Sequence, residues 1–113
     1  MDIIKLASKL EYCNVDFKLN EESLNFPVLS LKIISNKFKF FYRENFIERT
    51  KFHKKYKTFL EITANKKSKL SIFKIEIDEM LSCNYRIDEN IMYTDVSKID
   101  EDQMIVFINK FQK

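Results

Sequence analysis

Apolar and polar residues follow two different periods along this chain, and each change of period marks an element. After Asp2, the apolar residues Ile3, Leu6, Ala7 and Leu10 recur at helical spacing until Cys13 and Asn14. This predicts a short amphipathic helix capped by the Asp2 side chain. Residues 15–19 then alternate as a half-buried strand does, and Asn20, Glu21, Glu22 and Ser23 read as a connection, with Pro27 opening the next element.

Residues 28–44 predict a hairpin. Leu29, Leu31 and Ile33 point one way, Ser35, Asn36 and Lys37 turn, and Phe38, Phe40 and Tyr42 point one way on the return. Ser30, Lys32, Lys39, Phe41 and Arg43 then share the opposite face. Thr58, Leu60 and Ile62 alternate before Asn65, Lys66, Lys67 and Ser68, and Ser71, Phe73, Ile75 and Ile77 alternate after them, so a second hairpin is expected there. Its other face would show Phe59, Glu61, Leu70, Ile72 and Lys74. A shorter third pair is expected from residues 85–87 and 91–96 about Asp88, Glu89 and Asn90.

Residues 45–57 fit two patterns. Phe52, Tyr56 and Leu60 recur at helical spacing, whereas Phe52, Lys54 and Tyr56 suit one strand face; a short helix or irregular crossover is the expectation. At the carboxyl end, Asp100 with Gln103 three residues on, or Ser97 with Asp100, forms a capping-box pattern. Met104, Ile105, Phe107, Ile108 and Phe111 supply the buried stripe of the helix that follows, with Lys110 and Lys113 at its negative pole. These elements predict one α+β domain over residues 1–113: a mainly antiparallel sheet of about five or six strands, with amino- and carboxyl-terminal helices packed on one face.

Composition changes this picture in two respects. The chain of 113 residues has no Gly and one Pro, while Phe, Ile, Asn and Lys supply 51 residues, the bias an A/T-rich coding sequence produces. Without Gly there is no Gly-rich phosphate loop, dinucleotide fingerprint or nucleophile elbow, because each needs a close backbone approach or positive φ. Turns are expected to rely on Asn, Asp and Ser.

Charge is unevenly placed. Thirteen of the twenty basic residues lie in residues 32–74 against only Glu44, Glu48 and Glu61, a formal +10 between two acidic ends. Such a patch attracts a partner of opposite sign. No stretch reaches the roughly 20 apolar residues of a membrane span, and the amino terminus lacks a basic leader. The expectation is a cytoplasmic protein of a bacterial cell or phage-infected host, without membrane association and with Cys13 and Cys83 reduced.

Little else points to chemistry. His53, Cys13 and Cys83 stand in no nucleophile motif, and one His with two distant Cys does not make a zinc set. The carboxylates at Glu76, Asp78 and Glu79, at Asp88 and Glu89, and at Asp100, Glu101 and Asp102 have local explanations as a strand end, a turn and a helix start. Asp16-Phe17-Lys18 has the acid-x-Lys spacing of metal-dependent nucleases, but lacks a suitably placed second acid upstream. No catalytic residue, metal site or cofactor is assigned.

The basic segment is the constellation that remains. Arg49, Lys51, Lys54, Lys55 and Lys57 interleave with Phe52, His53 and Tyr56, and Lys32, Lys39, Arg43 and Lys74 are expected on one hairpin face beside Phe41 and Phe59. No motif is specific enough to carry a family resemblance. The leading expectation is a non-enzymatic inhibitor that occupies a surface on a protein or ribonucleoprotein target, as an anti-CRISPR or other phage or microbial anti-defence protein, or a toxin-immunity protein, does. Phe41 and Tyr56 are its expected anchors, and pairing with a second copy of the chain is a further option. The alternative is a single-stranded nucleic-acid binder, in which cations contact phosphates and rings stack on bases.

Overall fold

The computed structural model describes residues 1–23, 27–34, 38–49 and 54–111; of Glu22, Ser23, Pro27, residues 46–49, Lys54 and Lys55 it describes the backbone alone. The first helix, α1 (Ile3–Tyr12), starts where expected: the Asp2 side chain accepts a hydrogen bond from the Lys5 N–H at 3.2 Å. A cap of this kind stabilises a helix by about 1 kcal/mol. Its apolar stripe of Ile3, Leu6, Ala7 and Leu10 is buried, and the chain turns off through Asn14, whose φ of 58° Asn tolerates well.

Next comes β1 (Phe17–Ser23), which takes in the four residues expected as a connection. They are extended because each finds a cross-strand partner on β2 (Pro27–Ile33): Asn20 faces Ser30, Glu21 faces Leu29, Glu22 faces Val28 and Ser23 faces Pro27. Pairing overrides their weak local preference for extended structure. The predicted hairpin of β2 with β3 (Lys39–Arg49) is present, with Leu31 opposite Tyr42 and Ile33 opposite Phe40 on the buried side. Its turn residues 35–37 lie outside the described residues.

The expected helix or crossover at residues 45–57 is not formed. Instead β3 runs on to Arg49 and pairs with β4 (Lys54–Thr63), Asn45 facing Lys57 and Arg49 facing Lys54, with a bulge between Phe46 and Glu48. Tyr56 and Leu60, which matched a helical spacing, stand an even number of residues apart on one strand face instead. Phe52 and His53, with Thr50 and Lys51, lie outside the described residues.

The return strand expected at residues 71–77 is helical. A 3₁₀ turn (Lys67–Leu70), the helix α2 (Ser71–Glu76) and a π turn (Ile77–Leu81) run on continuously, ended by Ser82 at φ 52°. Leu70, Phe73, Ile77 and Leu81, spaced three, four and four, are the buried residues. The third expected hairpin forms as β5 (Tyr85–Asp88) and β6 (Ile91–Asp95). Its two-residue turn puts Glu89 at φ 53°, a conformation expected of Asn, Asp or Ser and unfavourable for Glu. Asn90 clamps the turn: its side-chain amide donates to the Ala64 carbonyl at 2.7 Å, while the Ala64 N–H donates to the Asn90 carbonyl at 3.0 Å.

The last helix, α3 (Glu101–Phe111), opens with the predicted capping box: Asp102 N–H donates to the Asp100 carboxylate and Asp100 N–H to the Gln103 side chain, each at 3.4 Å. Met104, Phe107, Ile108 and Phe111 of the expected stripe are buried, while Ile105 is only half-buried at its edge.

The six strands form one antiparallel sheet in the order β1-β2-β3-β4-β6-β5, and α1, α2 and α3 all pack on one side of it. The core between the layers is rich in rings. Phe73 meets Phe38 edge-on at 4.6 Å and Phe111 at 4.4 Å, and Phe40 and Phe107 complete the cluster in tilted or edge geometries. Lys9 bonds Asp102 at 2.6 Å and Lys110 bonds Glu76, tying α1 and α2 to α3 at the surface. Among the described residues, no helix is long and apolar enough to cross a membrane.

Candidate interaction surface on the open sheet face

Alternation along the strands sends every second side chain to the side that no described helix covers. Register then aligns them into rows. One row crosses all six strands: Lys18, Lys32, Phe41, Glu61, Tyr93 and Arg86. The row beside it holds Asn20, Ser30, Arg43, Phe59 and Asp95. Phe41, Phe59 and Tyr93 thus lie half-buried on three adjacent central strands. Lys18, Lys32, Lys39, Arg43 and Arg86 are exposed around them.

These groups already interact. Arg43 reaches Glu61 at 3.7 Å, and the Arg86 guanidinium sits over the Tyr93 ring with 4.8 Å to its centroid. A stacked cation of that kind contributes roughly 0.5–1 kcal/mol when exposed. Phe59, Tyr85 and Tyr93, with Arg43, Asn45, Glu61, Arg86 and Asp95, line a shallow groove of about 510 Å³. Its polar groups carry both signs.

At one end of this face the β3–β4 pair leaves the sheet. Pairing of β2 with β3 stops at Arg43, and the Leu29 N–H beyond it is taken by the Glu44 carboxylate at 2.9 Å. Burial raises the Glu44 pKa, with Asp2 adding to the rise, while the Leu29 N–H opposes it. On the other side, pairing of β4 with β6 stops at Phe59 and Asp95. There the Thr58 N–H donates to Ser97 Oγ at 2.8 Å, and Ser97 Oγ donates to Asp95 at 2.6 Å. Burial works to raise the Asp95 pKa, but the O–H and N–H of Ser97, with Lys57 and Lys98, hold it below the ordinary value. Beyond these two closures, the strand pairing of residues 45–49 and 54–57 among the described residues is with each other, a two-stranded arm roughly 15 Å long.

Of the residues singled out in the sequence, Lys32, Lys39, Phe41 and Arg43 are brought together on the open face, with Lys57 exposed at the base of the arm. Arg49, Lys54 and Lys55 lie on the arm's backbone, and Lys51 lies outside the described residues. Two placements differ from expectation. Lys74 sits on α2, in the helical layer on the other side of the sheet. Tyr56 shares strand parity with the buried Thr58 and Leu60, so it faces away from Phe41. Lys18, Arg86 and Tyr93 were missed. Their alternation was legible, but Lys18 reaches this face through β1 pairing with β2, and Tyr93 and Arg86 come beside Phe41 and Phe59 through β4 pairing with β6, which lies beyond the helical segment.

The remaining chemistry is muted. Cys83 is half-buried, its thiol donating to the Leu81 carbonyl at 3.4 Å, and burial raises its pKa despite a bond to Thr94, away from a reactive thiolate. Cys13 is exposed at the end of α1. Comparison with known proteins found no family model, curated protein or solved structure that matches this chain.

Proposed function

We propose that the protein is a non-enzymatic binding module that occupies a surface of a partner protein through the open sheet face, the mode of action of anti-defence inhibitors and toxin-immunity proteins. The observation that carries this reading is the arrangement of the face. Three half-buried rings, Phe41, Phe59 and Tyr93, alternate at the centre with the Arg43–Glu61 pair, and Lys18, Lys32, Lys39, Arg86 and Asp95 lie around them. Aromatic residues with Arg at the centre and a polar rim are features enriched at protein interfaces. Residues 45–57 add the charge, holding Arg49, Lys51, Lys54, Lys55 and Lys57 against Glu48 alone, which steers the molecule toward an acidic patch.

The same arm favours a second reading, binding to nucleic acid, since a two-stranded ribbon fits the major groove and cations contact phosphates. The face weighs against it. Glu61 stands between Phe41 and Tyr93, and Asp95 stands opposite Phe59, so a phosphate chain crossing the rings meets two carboxylates. Photo-cross-linking separates the readings. A benzoylphenylalanine at position 59 should capture a protein from the producing cells, and the adduct should survive nuclease. A nuclease-sensitive adduct, or capture equally efficient from position 75 on the helical side, would reject docking by this face.

A further inference from the structure

We infer that the hollow bounded by Lys18, Lys32 and Lys39 binds a phosphate-class dianion, the tetrahedral group of inorganic phosphate or of a phosphate monoester. Lys18 and Lys32 stand directly opposite each other on β1 and β2, and Lys39 comes diagonally onto the same face from β3. Together with Ile33 and Ile34 they line a hollow of about 260 Å³, and among the described residues no carboxylate lines it. Asp16 shares the end of this face, its carbonyl accepting from the Ile34 N–H at 3.0 Å, but it does not line the hollow. Among the described residues none of the three lysines makes an ion pair, although Lys9, Arg43 and Lys110 all do.

Like charges placed directly across a strand pair repel and destabilise it. Among the described residues lining the hollow no carboxylate offsets that repulsion, and of its three lysines a dianion leaves one unmatched where a single carboxylate leaves two. Lysine ammoniums are point donors, able to approach a tetrahedral oxyanion from separate strands. The exposed Ile34 is among the lining residues, an apolar surface of the kind along which lysine stems can lie with their ammonium groups free.

Two sources share this chemistry: free phosphate, and a phosphorylated side chain of the partner protein, the second resting on the open-face reading above. Amide chemical shifts of the full chain, followed at constant ionic strength against chloride, distinguish them. Inorganic phosphate and a capped phosphoserine peptide are titrated separately. Saturable shifts at residues 18, 32 and 39 are expected from at least one probe, with Lys32→Gln weakening binding roughly tenfold and Lys67→Gln leaving it unchanged. Tighter binding of the peptide assigns the protein-borne ester, and tighter or equal binding of phosphate assigns the free anion. Shifts that do not saturate, that are as large around Lys66, Lys67 and Lys69, or that persist in Lys32→Gln overturn the site. The failure of docking through the rings leaves the phosphate titration untouched, and failure of the hollow leaves cross-linking at position 59 untouched.

Discussion

Arg43 and Glu61 meet at 3.7 Å across β3 and β4, in the middle of the open face, so the most central cation of the basic segment is already matched by a carboxylate. An exposed pair at this distance adds little to stability, about 0–1 kcal/mol. Its consequence is electrostatic: it holds the ring cluster close to neutral and leaves the net positive charge to the lysines of β1–β3 and to the arm. Glu61→Gln is therefore expected to change the thermal midpoint very little while creating weak, salt-sensitive binding to single-stranded RNA at low ionic strength. Binding to RNA that is as strong in the unaltered protein would show that Glu61 does not exclude phosphate chains.

The helical segment gives a test of packing. Phe73 is fully buried among Phe38, Phe40, Phe107 and Phe111, whereas Ile75, two residues on, is 59% exposed. Phe73→Ala should lose about 3–5 kcal/mol by urea denaturation and Ile75→Ala less than about 0.5 kcal/mol. A strand here would place both side chains on one face, and comparable losses would point to it.

That segment also shows where the sequence stopped being legible. Ser71, Phe73, Ile75 and Ile77 alternate as a strand does, yet Leu70, Phe73, Ile77 and Leu81 repeat as a helix does, and a chain rich in Ile and Phe satisfies both patterns. The aromatic pocket left by Phe38, Phe40 and Phe111 decides between them, and that pocket is tertiary. On β4 the reverse held: Tyr56 and Leu60 matched a helical spacing by chance, while the true constraint was a partner strand. The terminal helices were readable from their caps and apolar stripes, and the β2–β3 hairpin and β5–β6 pair from strand alternation. The face of the site was half readable: Lys32, Lys39, Phe41 and Arg43 follow from parity alone, but Tyr93 and Arg86 join them through a pairing that skips a helix.

Tyr42 contributes its ring to the core but has a fully buried hydroxyl with no hydrogen-bond partner among the described residues. Burial raises its pKa far above the ordinary value, so it stays protonated throughout the working range. Removing an unpaired buried hydroxyl relieves a desolvation cost. Tyr42→Phe is expected to be neutral or up to about 1 kcal/mol more stable by urea denaturation; a loss of that size would show that the hydroxyl is bonded.

Glu101 is buried at the start of α3 and accepts the Asp2 N–H at 2.7 Å, joining the first and last helices. Burial pushes its pKa up, but the N–H groups of Asp2 and Glu101 and the charges of Lys5 and the amino terminus outweigh that and hold it below the ordinary value. A depressed folded pKa stabilises the protein above the unfolded value near 4.5, and that contribution is lost as pH falls through the folded pKa. Glu101→Gln should cost about 1–2 kcal/mol at pH 7 and flatten the fall of the urea midpoint below pH 5. An unchanged acid slope would remove Glu101 as its source.

The central claim is that the rings of the open face hold the partner. The most direct measurement is the affinity of the cross-linked partner, once identified, for Phe41→Ser and Phe59→Ser proteins compared with Ile75→Ser on the helical side. The account predicts at least a roughly tenfold loss for each ring variant, with folding intact by circular dichroism, and no change for Ile75→Ser. Full affinity in both ring variants, or a loss confined to Ile75→Ser, would contradict it.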